Sequence, residues 1–209
     1  MGVVGLPHGH VGLYMLDVSG HGVGAALLSF TLNHMLSPTA EGALLIEDTG
    51  QGLGVVAPSR VAERLNRQFP MDRTRQYFTL VYGVFDPAHG RFSYVMAGHP
   101  APIVLPRAGP AAPLQGRGLP IGMIEPATFD DEAVTLRPGD RLYFYTDGVI
   151  EALNASEQEF GHARLMTEIH RLRDYPLRPG LDVVADSVID WSGGHLGDDV
   201  SLLAIERTE

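Results

Sequence analysis

The run VGLYML (residues 11–16) is apolar at every position and stops at Asp17. A half-solvated strand would alternate with a period of two, so an unbroken run predicts a strand covered on both faces. A turn with three glycines follows. Residues 23–36 are then apolar almost all round, free of proline and rich in Ala and Leu. That predicts a helix, closed by Pro38, and so little polar surface predicts a buried one. Residues 38–58 are rich in Gly, Thr, Ser and Pro, with acids at Glu41, Glu47 and Asp48. They read as a surface excursion with room for a short helix. Ser59 is placed to N-cap a helix whose apolar stripe is Val61, Leu65 and Phe69.

Two strand-like runs between residues 77 and 99 flank DPAHG, which predicts a hairpin, with a third strand at 103–105 after the GHPAP bend. Residues 131–148 repeat the form: strand, RPGD turn, strand, then acid and glycine. Helical patterns cover 162–172 and 181–191, and the glycine-rich SGGHLGDD leads into a last strand at 200–206. Strand pairs joined by tight turns predict antiparallel sheets with helices packed outside. No second domain, repeat or linker is predicted.

Composition narrows the class. The chain has 209 residues, 44% hydrophobic and 19% charged, which suits one well-buried globular domain. There is no cysteine, so disulfides and thiolate metal sites are excluded and a cytoplasmic setting is expected. No apolar run reaches the length of a membrane span, and the first ten residues carry no base of the kind that opens a signal peptide. A formal net charge of −10 argues against a nucleic-acid surface and against an anionic membrane. It does permit a cluster of carboxylates, which needs a cation to sit together.

Three stretches suggest where that cluster lies: LYMLDVSG, YFYTDGV and GDDVSLL. Asp17 and Asp147 each end an apolar strand, while Asp198 and Asp199 precede one, each beside a glycine or in a glycine-rich bend where a ligand can approach. Brought to one sheet edge, these carboxylates call for a hard divalent cation, Mg²⁺ or Mn²⁺. Two such ions about 3.5–4 Å apart would activate a water and stabilise an in-line attack on phosphorus. The plainer reading is that each aspartate caps a turn.

A rival reading starts from Gly20, Gly22 and Ala25, which satisfy the G-x-G-x-x-A of a dinucleotide-binding turn. Asp17 would repel the pyrophosphate there. The chain beyond reads as hairpins rather than alternating β and α units, and residues 38–58 offer no second strand to carry the ribose-binding acid. His21 suits proton donation to a leaving seryl oxygen, with loop-ordering hydrogen bonds as the default. His99 reads as a turn residue, and the other histidines share no ligand spacing. Arg73 and Arg75 read as a solvated strand entrance and Trp191 as core.

Taken together, DVSGHGVGAALL, FTLVYGVFD, AGHPAPIVL, LPIGM, GDRLYFYTDGVIEALN with FG following, and GDDVSLL resemble, in order, the SpoIIE/RsbU-type serine phosphatases of the metal-dependent protein phosphatase (PPM) superfamily. The resemblance implies an α+β fold, a four-layer α-β-β-α sandwich of two antiparallel sheets flanked by helices. It implies two Mn²⁺ or Mg²⁺ ions and hydrolysis of phosphoserine or phosphothreonine on a regulatory protein, commonly a STAS-domain anti-anti-sigma factor. By position Asp17 is the bridging ligand, the Val18 carbonyl its neighbour, Asp147 the second carboxylate and Asp198 the third, with Asp199 the less favoured choice. Ser201 stands where threonine is usual. The family's acidic Gly-Asp-x-Tyr-Asp segment has no counterpart in residues 1–10, which hold no acid. The expectation is therefore one phosphatase domain over residues 1–209, short of its first ligand strand and cut from a longer regulator with an upstream sensory or receiver domain. The alternative is a catalytically weak scaffold that binds a signalling partner.

Overall fold

The structure, a computed structural model, describes residues 1–38, 44–50 and 52–208. Along the chain run β1 (Gly2–Gly5), β2 (Val11–Val18), α1 (Val23–Met35), β3 (Ile46–Asp48), β4 (Leu53–Val55), α2 (Pro58–Gln68), α3 (Met71–Thr74), β5 (Phe78–Asp86) and β6 (Arg91–Ala97). Then follow β7 (Ile103–Leu105), β8 (Ala112–Pro113), β9 (Glu132–Thr135), β10 (Arg141–Tyr145), α4 (Asp147–Ile150), α5 (Gly161–Arg171), α6 (Leu177–Trp191) and β11 (Leu202–Glu206). The chain divides into two compact units, Met1–His99 with Gln115–Thr135, and Pro100–Leu114 with Leu136–Glu209.

The first unit holds a five-stranded antiparallel sheet in the order β1-β2-β5-β6-β9. One face of β2 and β5 (Tyr14, Leu16, Val18, Phe78, Leu80, Tyr82) shares a core with Leu28 and Leu32 of α1 and Val61 and Leu65 of α2. The alternate positions Leu13, Met15 and Val81 are buried as well. The strand is thus covered on both faces, as its unbroken apolar run predicts. It runs two residues further than expected, so Asp17 lies inside it rather than beyond its end.

Three expectations for this unit are corrected. Helix α1 is not buried all round: Val23, Leu27 and Phe30 are 77%, 61% and 73% exposed. Apolar composition says what a helix face is able to bury, not whether another element lies over it. In the excursion at 38–58, positions 39–43 and 51 lie outside the described residues. The rest holds the hairpin β3–β4 instead of a helix, anchored by the buried Leu44, Leu45 and Val56. Ser59 is not the N-cap of α2, because Pro58 already opens the helix and Ala57 holds the cap position. The free N–H of Ser59 is taken by Asp131, which accepts it at 2.7 Å and the Ser59 hydroxyl at 2.8 Å. A cap supplied from far along the chain leaves no local signature.

The second unit holds a four-stranded antiparallel sheet, β11-β10-β7-β8, whose Ile103, Leu105, Tyr143 and Tyr145 pack with Leu165 and Ile169 of α5 and Val184 and Val188 of α6. The two strands around RPGD do not form a hairpin: β9 pairs with β6, and β10 pairs with β7 and β11. Both edges of β10 are already filled. The RPGD turn is fixed by the Asp140 carboxylate, which accepts the N–H groups of Arg137 and Arg107, both at 2.8 Å. Arg141 is buried and spends its guanidinium on Glu206 at 2.7 Å and on the Leu172 and Tyr175 carbonyls, tying the α5–α6 connection to the sheet. Helix α6 begins four residues earlier than the pattern indicates. Antiparallel sheets carrying helices give the α+β class expected, and no helix among the described residues is long and apolar enough to cross a membrane.

Asn66 on α2 is buried, donates to the Ile124 carbonyl at 2.9 Å and accepts the Gly122 N–H at 2.7 Å. Asn66→Ala would strand both groups. The expected cost is about 2–6 kcal/mol, at about 1–3 kcal/mol for each of the two buried unsatisfied groups, read as a lower urea midpoint with unchanged m-value.

Candidate active site

The first unit contributes the end of β2. Asp17 is half-buried and pairs across the strands with Thr79, and the next pair is Val18 with Phe78. Beyond it the chain is clamped by Ser19. Its N–H donates to the Tyr77 carbonyl at 2.9 Å, its hydroxyl accepts the Tyr77 N–H at 3.0 Å, and its carbonyl accepts from the Gln76 side chain at 3.3 Å. The Val18 carbonyl is therefore held between two ordered residues. His21 lies further out. It is exposed and makes no hydrogen bond among the described residues, so the default role of ordering the loop has no support in its contacts. The dinucleotide reading loses its architecture, since β2 sits between antiparallel neighbours rather than in a parallel β-α-β unit.

The second unit brings Asp147 and the bend before β11 together. Thr146 is the hinge: its hydroxyl donates to the Asp199 carbonyl at 2.8 Å and accepts the Ser201 N–H at 3.0 Å, while its N–H donates to the Ser201 carbonyl at 3.2 Å. Gly148 lets the bend close. A β-carbon there would lie 2.6 Å from the Asp199 carbonyl oxygen, inside van der Waals contact. Asp147 accepts the Gly148 N–H at 2.9 Å, and Asp198 accepts the Asp199 N–H at 2.7 Å. Each of these carboxylates keeps its second oxygen without a hydrogen bond among the described residues. Asp199 contributes its backbone to this arrangement and leaves its side chain exposed.

A further acid belongs to the same bend and was missed in the sequence. Partial loss of hydration, and then the charges of Asp147, Glu159 and Asp198, hold the Glu151 carboxyl above the ordinary glutamate range. The available signal was spacing, since Asp147 and Glu151 are four apart and share one face of a helical turn. Among the described residues no group of three or more His, Asp or Glu side chains is gathered closely enough to hold a metal ion. The donor chemistry nonetheless suits one. Carboxylates near enough to raise a neighbour's pKa, in a glycine-lined bend, are the hard oxygen ligands that Mg²⁺ and Mn²⁺ select. The remaining expectations divide. Trp191 is half-buried, with Arg164 stacked 3.9 Å from its ring and its N–H given to the Gln158 carbonyl, whereas Arg73 and Arg75 are exposed.

The family model described as Stage II sporulation protein E (SpoIIE) matches residues 7–208, nearly the whole chain. The chain belongs to the SpoIIE family. This SpoIIE domain is 32% identical over 142 residues to the phosphoserine phosphatase RsbP of Bacillus subtilis, covering 67% of the chain and 33% of RsbP. It thus spans a third of that relative's length. Its fold matches the RsbU and RsbW domains of a Mycobacterium tuberculosis protein at a TM-score of 0.76 and 23% identity, over 99% of this chain and 54% of that one. It matches the PP2C phosphatase domain of B. subtilis SpoIIE, solved with a fragment of its regulatory domain, at 0.75 and 17%, over 98% and 57%. RsbX, solved in complex with magnesium, matches at 0.61 and 15%, over 93% and 80%. The SpoIIE domain accordingly shares the fold of PP2C-type phosphatase domains.

The raised Glu151 carboxyl gives a pH test. A carboxyl whose folded pKa lies above its unfolded one contributes stability below the unfolded value and loses it as pH rises through the folded value. Glu151→Gln is expected to raise the Tm of chelator-treated protein near pH 7 and leave it unchanged near pH 4, where the acid is largely protonated in both states. Thermal melts at the two pH values check this, and an unchanged Tm near pH 7 contradicts the repulsion.

Proposed function

We propose that the SpoIIE domain is a metal-dependent phosphatase that hydrolyses phosphoserine or phosphothreonine on a regulatory protein, its substrate a STAS-domain anti-anti-sigma factor. The observation that carries this reading is the bend in which Thr146 and Gly148 hold Asp147 and Asp198 on adjoining backbone, each with an uncommitted oxygen. Family membership supplies the reaction class, and the name of RsbP, a phosphoserine phosphatase, supports the substrate chemistry.

Asp17, the Val18 carbonyl, Asp147 and Asp198 would hold Mn²⁺ or Mg²⁺, with Asp199 in place of Asp198 as the less favoured choice. A bound divalent ion supplies positive charge to the phosphoryl oxygens and lowers the pKa of water. The protein's own groups do the rest. Thr146 fixes where the Asp147 and Asp198 carboxylates start, and the Ser19–Tyr77 clamp fixes the end of β2. Both hydroxyls are committed to backbone partners, so neither is offered as a nucleophile. His21, exposed on its loop, is the group proposed to give a proton to the leaving seryl oxygen. The fragment of a regulatory domain solved with the B. subtilis SpoIIE phosphatase domain supports a further proposal, that an upstream sensory or receiver domain governs this one.

A second reading, a catalytically weak scaffold for a signalling partner, is favoured by the lack of a gathered three-acid group among the described residues. It also fits β1, a strand that precedes β2 and carries no acid. Phosphate release from a phosphoserine peptide with and without Mn²⁺ separates the two. The phosphatase reading expects Mn²⁺-dependent release, lowered by Asp17→Asn and by Asp147→Asn more than about 100-fold, beyond what loss of an outer-shell partner costs. Equal rates in wild type and Asp17→Asn remove Asp17 from the mechanism, and absence of Mn²⁺-dependent release leaves the scaffold.

A further inference from the structure

We propose that His99 and Thr79 form a positioning pair for the Asp17 carboxylate, an inference that rests on reading Asp17 as a metal ligand. Asp17 and Thr79 are direct partners across β2 and β5. Their side chains leave the sheet on the same face, with β-carbons about 4.5–5.5 Å apart. The pair two positions along on that face is Met15 with Val81, both fully buried. Beside such neighbours the half-buried Asp17 and Thr79 keep only part of their hydration, which favours hydrogen bonds within the protein.

Thr79 has such a bond. Its Oγ1 lies 2.8 Å from Nδ1 of His99, whose residue is only 7% exposed. The bend after β6 delivers the imidazole. Gly98 has φ +74°, bridges to Leu80 of β5, and has no room for a side chain: a β-carbon would lie 2.6 Å from Pro120 Cγ. The AGHP stretch is thereby folded onto β5 next to the residue that faces Asp17. A histidine used only to finish a turn would lie in solvent or bond local backbone. This one is buried and bonds a side chain on the strand opposite the acid.

The physical consequence is a fixed rotamer. Threonine presents either its hydroxyl or its methyl to the strand beside it, and χ1 decides which. The bond to His99 selects χ1. A hydroxyl keeps both a proton and lone pairs, so one tied to an imidazole retains capacity for a second partner. Outer-shell groups of this kind orient ligating carboxylates, and losing one costs about 10–100-fold in metal affinity.

The test is calorimetric titration of the whole chain with Mn²⁺, paired with thermal melts without metal. Thr79→Val keeps the volume and removes the hydroxyl, and is expected to weaken Mn²⁺ binding about 10–100-fold. Thr79→Ser restores the hydroxyl and should bind within about threefold of wild type, well inside that range. His99→Leu should weaken binding as Thr79→Val does, and His99→Asn, which keeps a hydrogen-bonding atom near the position of Nδ1, should recover most of it. The double variant Thr79→Val/His99→Leu should be no weaker than Thr79→Val alone, as two residues acting through one bond require. Wild-type Mn²⁺ affinity in Thr79→Val or in His99→Leu overturns the proposal, as does a loss that Thr79→Ser and His99→Asn share. Asp17→Asn is the control. If it binds Mn²⁺ like wild type, the reading of Asp17 as a ligand has failed first and the pair falls with it. If it loses binding while Thr79→Val keeps it, the pair alone has failed.

Discussion

Carboxylates set near one another by hydrogen-bonded backbone are the constraint around which the second unit is organised. Loss of hydration, and then the charges of Asp147, Glu159 and Asp198, raise the cost of ionising Glu151. What holds Asp147 and Asp198 is backbone. The Thr146 hydroxyl uses its proton on the Asp199 carbonyl and a lone pair on the Ser201 N–H, so a single side chain fixes both the start of α4 and the approach to β11. Two main-chain N–H groups, from Gly148 and Asp199, each point at a carboxylate oxygen and offset part of the repulsion. The apolar core of Tyr145, Val149, Leu165 and Val188 lies behind this bend and gives it something rigid to stand on.

The first unit meets the same problem differently. Asp17 is half-buried near the end of a strand covered on both faces, so its neighbours restrict where the carboxylate can lie. Its flanks are pinned by the reciprocal Ser19 and Tyr77 bonds on one side and by an eight-residue register with β5 on the other. A strand interior allows an acid few rotamers. The precision that a loop would have to obtain from many hydrogen bonds comes here from the sheet.

Legibility in the sequence follows how local each cause is. The strand at 11–18, the hairpin around DPAHG and the helix at 161–171 were readable because periodicity and turn chemistry sit within a few residues of one another. Strand partnership was not. RPGD looks like a hairpin turn, but the strand after it is claimed on both edges by β7 and β11, and that depends on residues 36 (Arg141 to Leu105) to 65 (Arg141 to Glu206) positions away. The cap of α2 by Asp131 is nonlocal in the same way. The apolar face of α1 shows a different limit: hydrophobicity fixed the helix and its inner stripe, while Val23, Leu27 and Phe30 stayed exposed. At the candidate site, the acids and their nearby glycines are visible in the sequence. Thr146, which holds them, looks like any strand-ending threonine, and His99 looked like punctuation.

These features bear on what a cation, bound as proposed, would do for the domain. Among the described residues the acids are oriented but not gathered into a three-ligand set. An ion that binds such groups has to overcome their dispersion with its own binding energy, and in doing so it orders them. Metal affinity and local stability are then one quantity: an ion at a hundred times its dissociation constant adds about 2.7 kcal/mol to the folded state. That is comparable to several hydrogen bonds of the Thr146 kind, at about 1 kcal/mol each. The backbone clamps at Ser19 and Thr146 lower the ordering cost the ion must meet. They are neutral, so they would do so without adding to the charge around the Glu151 carboxyl.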